Sequence, residues 1–211
     1  MPLSFQTKLA LAAAVANNIA HVQTPGAPGA LTLVSNPVTL DAARQVLITS
    51  GTSDTSITYT VTGTNRNDNP LAETITGGAT TASTTQDFLT VSSVVANGTP
   101  AGTVTVGTNG VGSSPWLFVD RDVNPVNLGI GVVVTGTISF TVEYTYDDPN
   151  APFTGTFPTV FSQTALASKS ANTDAGATFN FPIFAIRLTQ NSFTYPATAA
   201  MIVLQSVITP S

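Results

Sequence analysis

The 211-residue sequence contains no cysteine, and only 8% of its residues are charged. The absence of cysteine excludes disulfide bonds and thiolate metal sites. Soluble domains usually carry charge on about a quarter of their residues, so Thr, Gly, Pro, Asn and Ser must supply most of the polar surface here. We interpret this composition as a surface largely covered by neighbouring subunits, because burial removes the usual requirement for charge.

Basic residues and long apolar runs are also scarce. The six Lys and Arg residues are scattered along the chain, and the formal net charge is −5. Binding to nucleic acid requires a basic surface that follows the phosphates, and this sequence has none. No apolar run approaches the roughly 18 residues that a membrane-spanning helix needs. We therefore expect neither nucleic acid nor a membrane as a partner.

Candidate catalytic and metal-binding residues are few and isolated in the sequence. His21, the only histidine, has no Asp or Glu near it, and the only glutamates are Glu73 and Glu143. Both glutamates fall in segments predicted as strands, so they do not suggest the carboxylate pair of a glycosidase. The acidic clusters 120–122 and 147–150 lack the alternating oxygen spacing of a calcium loop. The sequence thus predicts no catalytic site, no metal and no cofactor.

Alternation of apolar and polar residues predicts an all-β fold. Ile57, Tyr59 and Val61 alternate with threonine, and the same period of two extends over residues 137–146. Asn97 and Gly98 form a dipeptide typical of hairpin turns. We predict two successive antiparallel β units of the sandwich or jelly-roll kind.

Changes in composition set the boundaries of the predicted domains. Apolar residues recur at helical spacing before a Pro- and Gly-rich break at 24–29, which favours an N-terminal arm or a short helix. Loops as long as the polar stretch that follows residue 146 are usually functional or ordered by a partner. The predicted segments are an N-terminal arm (1–30), a first β unit (31–107), a linker or inter-unit strand (108–125) and a second β unit (126–211) with a long loop (147–178).

Two stretches of the sequence resemble phrases found in virion proteins of tailed bacteriophages. The first is ITYTVTGTNRNDNPLAETITG (57–77), followed by TVSSVVANGTPAGTVTVGT (90–108). It is similar to a repeated phrase of small structural β domains in those particles. The second is FTVEYTYDDP (140–149) with FPIFAIRLTQNSF (181–193), which is similar to the carboxy-terminal halves of such proteins. Together the resemblance covers most of residues 31–208.

The resemblance implies a non-enzymatic structural component of a phage virion, assembled in the cytoplasm of the host bacterium. The leading interpretation is a capsid decoration, or cement, protein that stabilises the shell through contacts between subunits. Its expected partners are the major capsid protein or other virion proteins, and we expect a homo-oligomer. The alternatives are a head–tail adaptor, a tail or fibre-anchoring component, and a receptor- or glycan-binding tail module.

Arg187 and Glu143 are the first candidates for a structural role. Each is charged, lies among apolar strand residues and falls on the less apolar face of its strand by alternation. If the two strands are neighbours, we expect a partly buried ion pair that fixes strand register or a subunit contact. It would not catalyse a reaction.

Four aromatic residues are further candidates for contacts. Trp116, the only tryptophan, is expected to pack between the two units or to anchor in a pocket of a partner. Phe153, Phe157 and Phe161 are the apolar anchors of the long loop, which we expect to reach a neighbouring subunit. We also expect residues 1–24 to contact another chain, because their weak helical pattern would not fold alone.

Overall fold

The computed structural model describes residues 3–122, 127–151, 158–171 and 173–205. Within these ranges the chain is all-β, with fourteen strands paired in antiparallel fashion, one short 3₁₀ helix at Thr164–Leu166 and no α-helix, which confirms the predicted class. The strands are β1 (Leu3–Leu9), β2 (Ala20–Gln23), β3 (Gly29–Ala30), β4 (Val38–Ser50), β5 (Thr58–Thr64), β6 (Pro70–Thr76), β7 (Thr81–Ser83), β8 (Phe88–Ala96), β9 (Val104–Ser113), β10 (Leu117–Phe118), β11 (Leu128–Thr145), β12 (Val160–Ser162), β13 (Thr173–Phe179) and β14 (Ala185–Gln205).

The strands form two compact units whose boundaries differ from those predicted. The first unit is Ala13–Gly112, and the second unit combines Met1–Ala12 with Ser113–Ser211. The predicted N-terminal arm or helix is therefore corrected, because β1 pairs with β14 over its whole length. Leu9 is buried and Lys8 is exposed, so burial follows the period of a strand and backbone pairing overrides the weak helical spacing.

The first unit is built around β4, which changes partners along its length. Its beginning pairs with β8, and the order continues to β5 and β6. Its end lies between β7 and β9, and β2 adds to the far side of β9. The predicted hairpin is β5–β6, with Tyr59 opposite Ile75. Tyr59 and Val61 are completely buried, as the alternation with threonine requires.

Strand β9 continues into the region predicted as a linker. Thr108 lies opposite Val46 and Gly112 lies opposite Arg44, so backbone pairing with β4 orders this Gly- and Asn-rich stretch. Residues 117–118 form β10, which pairs with β14. Residues 108–113 therefore form the end of β9, a strand that begins at Val104 in the first unit.

The second unit depends on two long strands, β11 and β14, that fold back on themselves. Phe179 lies opposite Leu128 at the start of β11, yet its ring is 5.0 Å from the ring of Tyr144 near the end of that strand. Sixteen residues of extended strand would separate those positions by roughly 50 Å. The chain must therefore turn sharply between them. The two halves of the β11–β14 pair form the two layers of a sandwich, which β1 and β13 extend in one layer and β10 and β12 in the other.

The bend in β11 is centred on Gly136. Its φ is +80°, and the register with β14 shifts between Thr135 and Thr137. A Cβ at this position would lie 2.7 Å from the carbonyl oxygen of Pro196. Glycine alone meets both requirements, because L side chains are strained at positive φ and no space exists for a methyl group.

The predicted long loop, 147–178, is only partly a loop. It contains β12, the 3₁₀ helix and most of β13. Backbone pairing explains the difference, since Phe161 lies opposite Tyr144 and Ala177 lies opposite Ile130 of the same chain. A polar composition does not prevent a strand from forming when a neighbour offers backbone partners.

Replacing Gly136 with alanine should destabilise the protein by about 1–3 kcal/mol, because the new methyl group adds strain at positive φ. The matched control is Gly129→Ala in the same strand, where a Cβ would meet no atom within 4 Å. Urea unfolding of the two variants and the wild type measures the difference. Equal unfolding midpoints for the two variants would show that Gly136 is not required for the bend.

Candidate functional site

Arg187 and Glu143 form an ion pair in the second unit. The two residues lie directly opposite each other on β14 and β11. The Nε–H of Arg187 donates to Oε2 of Glu143 at 2.7 Å, and the side chains are 21% and 18% exposed. The contact is the one that strand alternation predicted. Its contribution to function stays a prediction.

Three further side chains complete this polar cluster. The hydroxyl of Thr189 donates to the same carboxylate oxygen at 2.7 Å, and the hydroxyl of Ser113 lies 3.0 Å from that of Thr189. The ring of Trp116 lies under the guanidinium of Arg187, 4.6 Å from its central carbon. Strand alternation placed Arg187 and Glu143 on the less apolar faces of their strands, but no sequence signal joined them to Trp116. The cluster joins side chains of β9, β11 and β14 with Trp116.

Arg187→Ala should destabilise the protein by about 1–2 kcal/mol, because it leaves a half-buried carboxylate without its charged partner. Arg187→Lys should recover only part of this loss, since lysine lacks the planar group that stacks on Trp116. Lys169→Ala, which removes an exposed charge from the same unit, serves as the control. Thermal or urea unfolding measures all three. If both Arg187 variants unfold like the control, the ion pair does not stabilise the unit.

Aromatic side chains gather on the other face of β11, around Tyr144. The ring of Tyr144 lies 5.5 Å from that of Phe161, and Tyr146 lies 5.5 Å from the same ring. Phe181 lies 5.3 Å from Phe179 and 6.0 Å from Tyr144. Offset and edge-on pairs at these separations are favourable beyond their buried area, by roughly 0.5–1.5 kcal/mol each.

The outer members of this cluster are exposed. Tyr146 is 51% exposed, Phe161 is 39% exposed and Phe181 is 37% exposed, whereas Phe179 beneath them is 1% exposed. We call the first three the aromatic rim. Contiguous exposed apolar groups of this kind are typical of protein or ligand contact sites. Aromatic residues are also enriched at interfaces, where they bury a large area with few rotatable bonds.

The sequence found one member of the aromatic rim and missed two. Phe161 was a candidate, and Phe153 and Phe157 lie outside the described residues. Tyr146 and Phe181 carried a weak signal, because Tyr146 ends the alternating run 137–146 and Phe181 follows Phe179 at the same period of two. Only the folding of β11 and β13 brings them to the same place.

A buried carboxylate in the first unit has a structural role. Asp54 is 1% exposed and accepts hydrogen bonds from the hydroxyl of Tyr59 at 2.7 Å and from the N–H of Ala101 at 3.0 Å. Burial acts to raise the pKa of Asp54, but the hydrogen bonds from Ala101, Tyr59 and Ser50 outweigh it and lower that pKa below its usual value. Burial and the adjacent carboxylate raise the pKa of Tyr59. Asp54 is therefore ionised at neutral pH, and both of its carboxylate oxygens accept hydrogen bonds.

The lowered pKa of Asp54 predicts a loss of stability in acid. Because the folded state favours the ionised form, this contribution is complete above the pKa of the unfolded chain and disappears as the pH falls below about 4. Asp54→Asn should lower stability at pH 7 and flatten the dependence of stability on pH between about 5 and 2. Urea unfolding across that range, with the exposed Asp68→Asn as control, measures the effect. Parallel profiles for Asp54→Asn and wild type would contradict the assignment.

Glu73 and Asp147 accept hydrogen bonds from the backbone of loops. Glu73 accepts hydrogen bonds from the N–H groups of Thr85 and Gln86 at 2.8 and 2.9 Å. Asp147 accepts one from the N–H of Thr159 at 2.7 Å. His21 is exposed. In the part of the chain that the structure describes, no group of three or more His, Asp or Glu side chains is arranged to hold a metal ion, and no helix is long and apolar enough to cross a membrane.

Comparisons with known proteins give little further information. No protein-family model matches the sequence, and no curated protein matches it significantly. Among solved structures, the chain is similar to the major capsid protein P2 from Bacteriophage PM2, at 10% sequence identity over 98% of this chain and 99% of that chain, with a TM-score of 0.24. A TM-score this low carries no argument about fold or function.

Proposed function

We propose that this chain is a non-enzymatic structural component of a phage virion, and specifically a capsid decoration protein that binds the major capsid protein. The observation that carries the proposal is the aromatic rim of the second unit. The proposal also draws on the resemblance of residues 57–108 and 140–193 to virion proteins of tailed phages.

The aromatic rim supports a role in protein contacts because its exposure is costly unless a partner covers it. Burial of apolar surface contributes roughly 25 cal/mol per Å², so covering three large rings favours association strongly before the costs of binding are subtracted. The rings rest on the buried Phe179 and on Tyr144, so they are held in place before any partner arrives. A preorganised aromatic group loses little side-chain entropy on binding.

The low charge of the chain supports the same role. With 8% charged residues, the surface has few of the groups that keep an isolated protein soluble. A decoration protein meets the shell on one side and its own neighbours on others, so much of its surface is removed from water. Contacts of this kind bury about 1,000 Å² or more when they are stable.

The double variant Tyr146→Ser, Phe161→Ser should fold normally but associate poorly with particles, because it removes two exposed rings and little of the core. The control is Tyr195→Ser, which removes an aromatic ring that is 62% exposed and outside the rim. Occupancy on purified particles, measured by gel densitometry against the major capsid protein, gives the result. Wild-type occupancy for the double variant would contradict the role of the rim, provided that its unfolding midpoint is unchanged.

A second candidate is a glycan-binding module of the tail, which the same exposed rings favour, since sugars stack on aromatic faces beside carboxylates such as Asp147 and Asp148. Glycan-array binding by the isolated protein, lost in the double variant, would support it. A map of the intact particle distinguishes the remaining alternatives. A map that shows copies across the shell would support a decoration protein. A map that shows a ring of copies at one vertex would support a head–tail adaptor.

A further inference from the structure

Asparagine is followed by glycine at two places in the chain, Asn97–Gly98 and Asn109–Gly110. This dipeptide is chemically labile, because the backbone nitrogen of glycine can attack the asparagine amide without hindrance from a Cβ. The two pairs lie in different surroundings. Asn97 is exposed in a bend directly after β8, whereas Asn109–Gly110 lies within β9. The structure therefore distinguishes two sites that are identical in sequence.

The bend at Asn97–Gly98 is not a two-residue hairpin turn. The strands on either side of it, β8 and β9, lie on opposite sides of β4 in the sheet order. Gly98 does not take the positive φ that such turns require of their central residues. The hairpin signal of this dipeptide thus leaves its chemistry unexplained.

Two hydrogen bonds hold Asn97 against Thr58 at the start of β5. The N–H of Asn97 donates to the carbonyl oxygen of Thr58 at 3.0 Å, and the N–H of Thr58 donates to Oδ1 of Asn97 at 2.8 Å. The second bond places a donor on the oxygen that becomes negative when the Gly98 nitrogen adds to Cγ. A backbone N–H in that position stabilises the developing charge, as in an oxyanion hole.

The atoms of Asn97–Gly98 that lose a proton or leave have no protein partner. Within the described part of the chain, neither Nδ2 of Asn97 nor the N–H of Gly98 donates a hydrogen bond. Asn97 is also exposed, so water reaches its side chain. Ammonia can therefore leave from Asn97 without breaking a hydrogen bond within the protein.

Asn109 is held more completely. Its Nδ2 donates to Oε1 of Gln45 at 2.9 Å and to the hydroxyl oxygen of Ser83 at 3.3 Å. Its Oδ1 accepts from the N–H of Val111 at 2.9 Å, so the oxygens of the two sites are alike in having a donor. Strand β9 pairs with β4 both before and after this position. Loss of ammonia from Asn109 would break two hydrogen bonds, and ring closure would require the strand to open.

We propose that Asn97 is a site of spontaneous deamidation in the folded protein and that Asn109 is protected from it. The nitrogen of Gly98 forms a bond to Cγ of Asn97 and gives its proton to water. The bond from Cγ to Nδ2 breaks, and Nδ2 takes a proton from water and leaves as ammonia. Water then opens the resulting succinimide at either of its carbonyl carbons, giving aspartate or isoaspartate. In total one water is consumed and one ammonia is released.

The two products should affect the first unit differently. Aspartate at position 97 keeps an acceptor for the N–H of Thr58, and its charge strengthens that hydrogen bond. Isoaspartate adds a carbon to the backbone directly after Ala96, which lies opposite Tyr59 in the pairing of β8 with β5. Asn97→Asp should therefore unfold at the wild-type urea concentration or above it, and the isoaspartate form should unfold at a lower one.

The purified full-length chain is incubated in mildly alkaline buffer below its unfolding temperature and sampled over time. Each sample is digested with pepsin in acid, which suppresses further deamidation, and the peptides are sequenced by mass spectrometry. Replacement of the amide –NH2 by –OH raises the mass, and fragmentation assigns the change to one asparagine. Labelling with an isoaspartyl methyltransferase separates isoaspartate from aspartate. Asn97 should convert at least about tenfold faster than Asn109, because Asn109 reacts only when its strand opens.

Two controls separate the effect of the fold from that of the sequence. In guanidinium chloride the two asparagines should convert at similar rates, because each is followed by glycine. In the folded protein, Gly98→Ala should slow conversion of Asn97 at least about fivefold, because the methyl group hinders ring closure. This variant should fold, since the new Cβ would meet only Ile57, at an ordinary contact distance of 3.5 Å.

Three results would overturn the proposal. The first is an unchanged Asn97 in the folded chain over a period in which the unfolded chain converts. The second is equal conversion of Asn97 and Asn109 in the folded chain. The third is conversion of Asn97 at the wild-type rate in Gly98→Ala, which would show that the Gly98 nitrogen is not the attacking group.

Discussion

The pairing of β11 with β14, and the sharp bend that both strands make, is the constraint on which the second unit depends. Gly136 permits the bend because it takes a φ of +80° beside the carbonyl of Pro196. With the bend in place, one pair of strands supplies both layers of a sandwich. The shorter strands then need only to add to existing edges, which explains why sequences with weak strand patterns, such as 160–162 and 173–179, are ordered there.

The bend also determines where the polar cluster and the aromatic rim of the second unit lie. Glu143 and Tyr144 are adjacent in β11, and their side chains point to opposite faces. On one face, Glu143 meets Arg187 and the hydroxyl of Thr189. On the other face, Tyr144 supports the rings that form the aromatic rim. One short stretch of strand therefore carries a polar cluster on one face and supports an exposed aromatic surface on the other.

Hydroxyl groups form many of the side-chain contacts that charged groups form in other proteins. The hydroxyl oxygens of Thr60 on β5 and Thr74 on β6 are hydrogen-bonded at 2.9 Å. Those of Thr64 on β5 and Thr90 on β8 are hydrogen-bonded at 2.8 Å. Such cross-strand pairs contribute roughly 0.2–1 kcal/mol each without the desolvation cost of an ion. A sheet surface built in this way can be covered by another protein at low cost, which agrees with the proposed structural role.

The sequence by itself determined the all-β class, the β5–β6 hairpin and the less apolar strand faces on which Arg187 and Glu143 lie. These features follow from local alternation and turn residues, which act over a few residues. The tertiary structure alone decided that residues 3–9 form a strand of the second unit, that residues 108–113 continue β9, and that Tyr146 and Phe181 join Phe161. Each of these depends on backbone partners far away in the chain, and a hydrogen-bonded edge accepts almost any sequence. Local pattern therefore carries no record of the pairing.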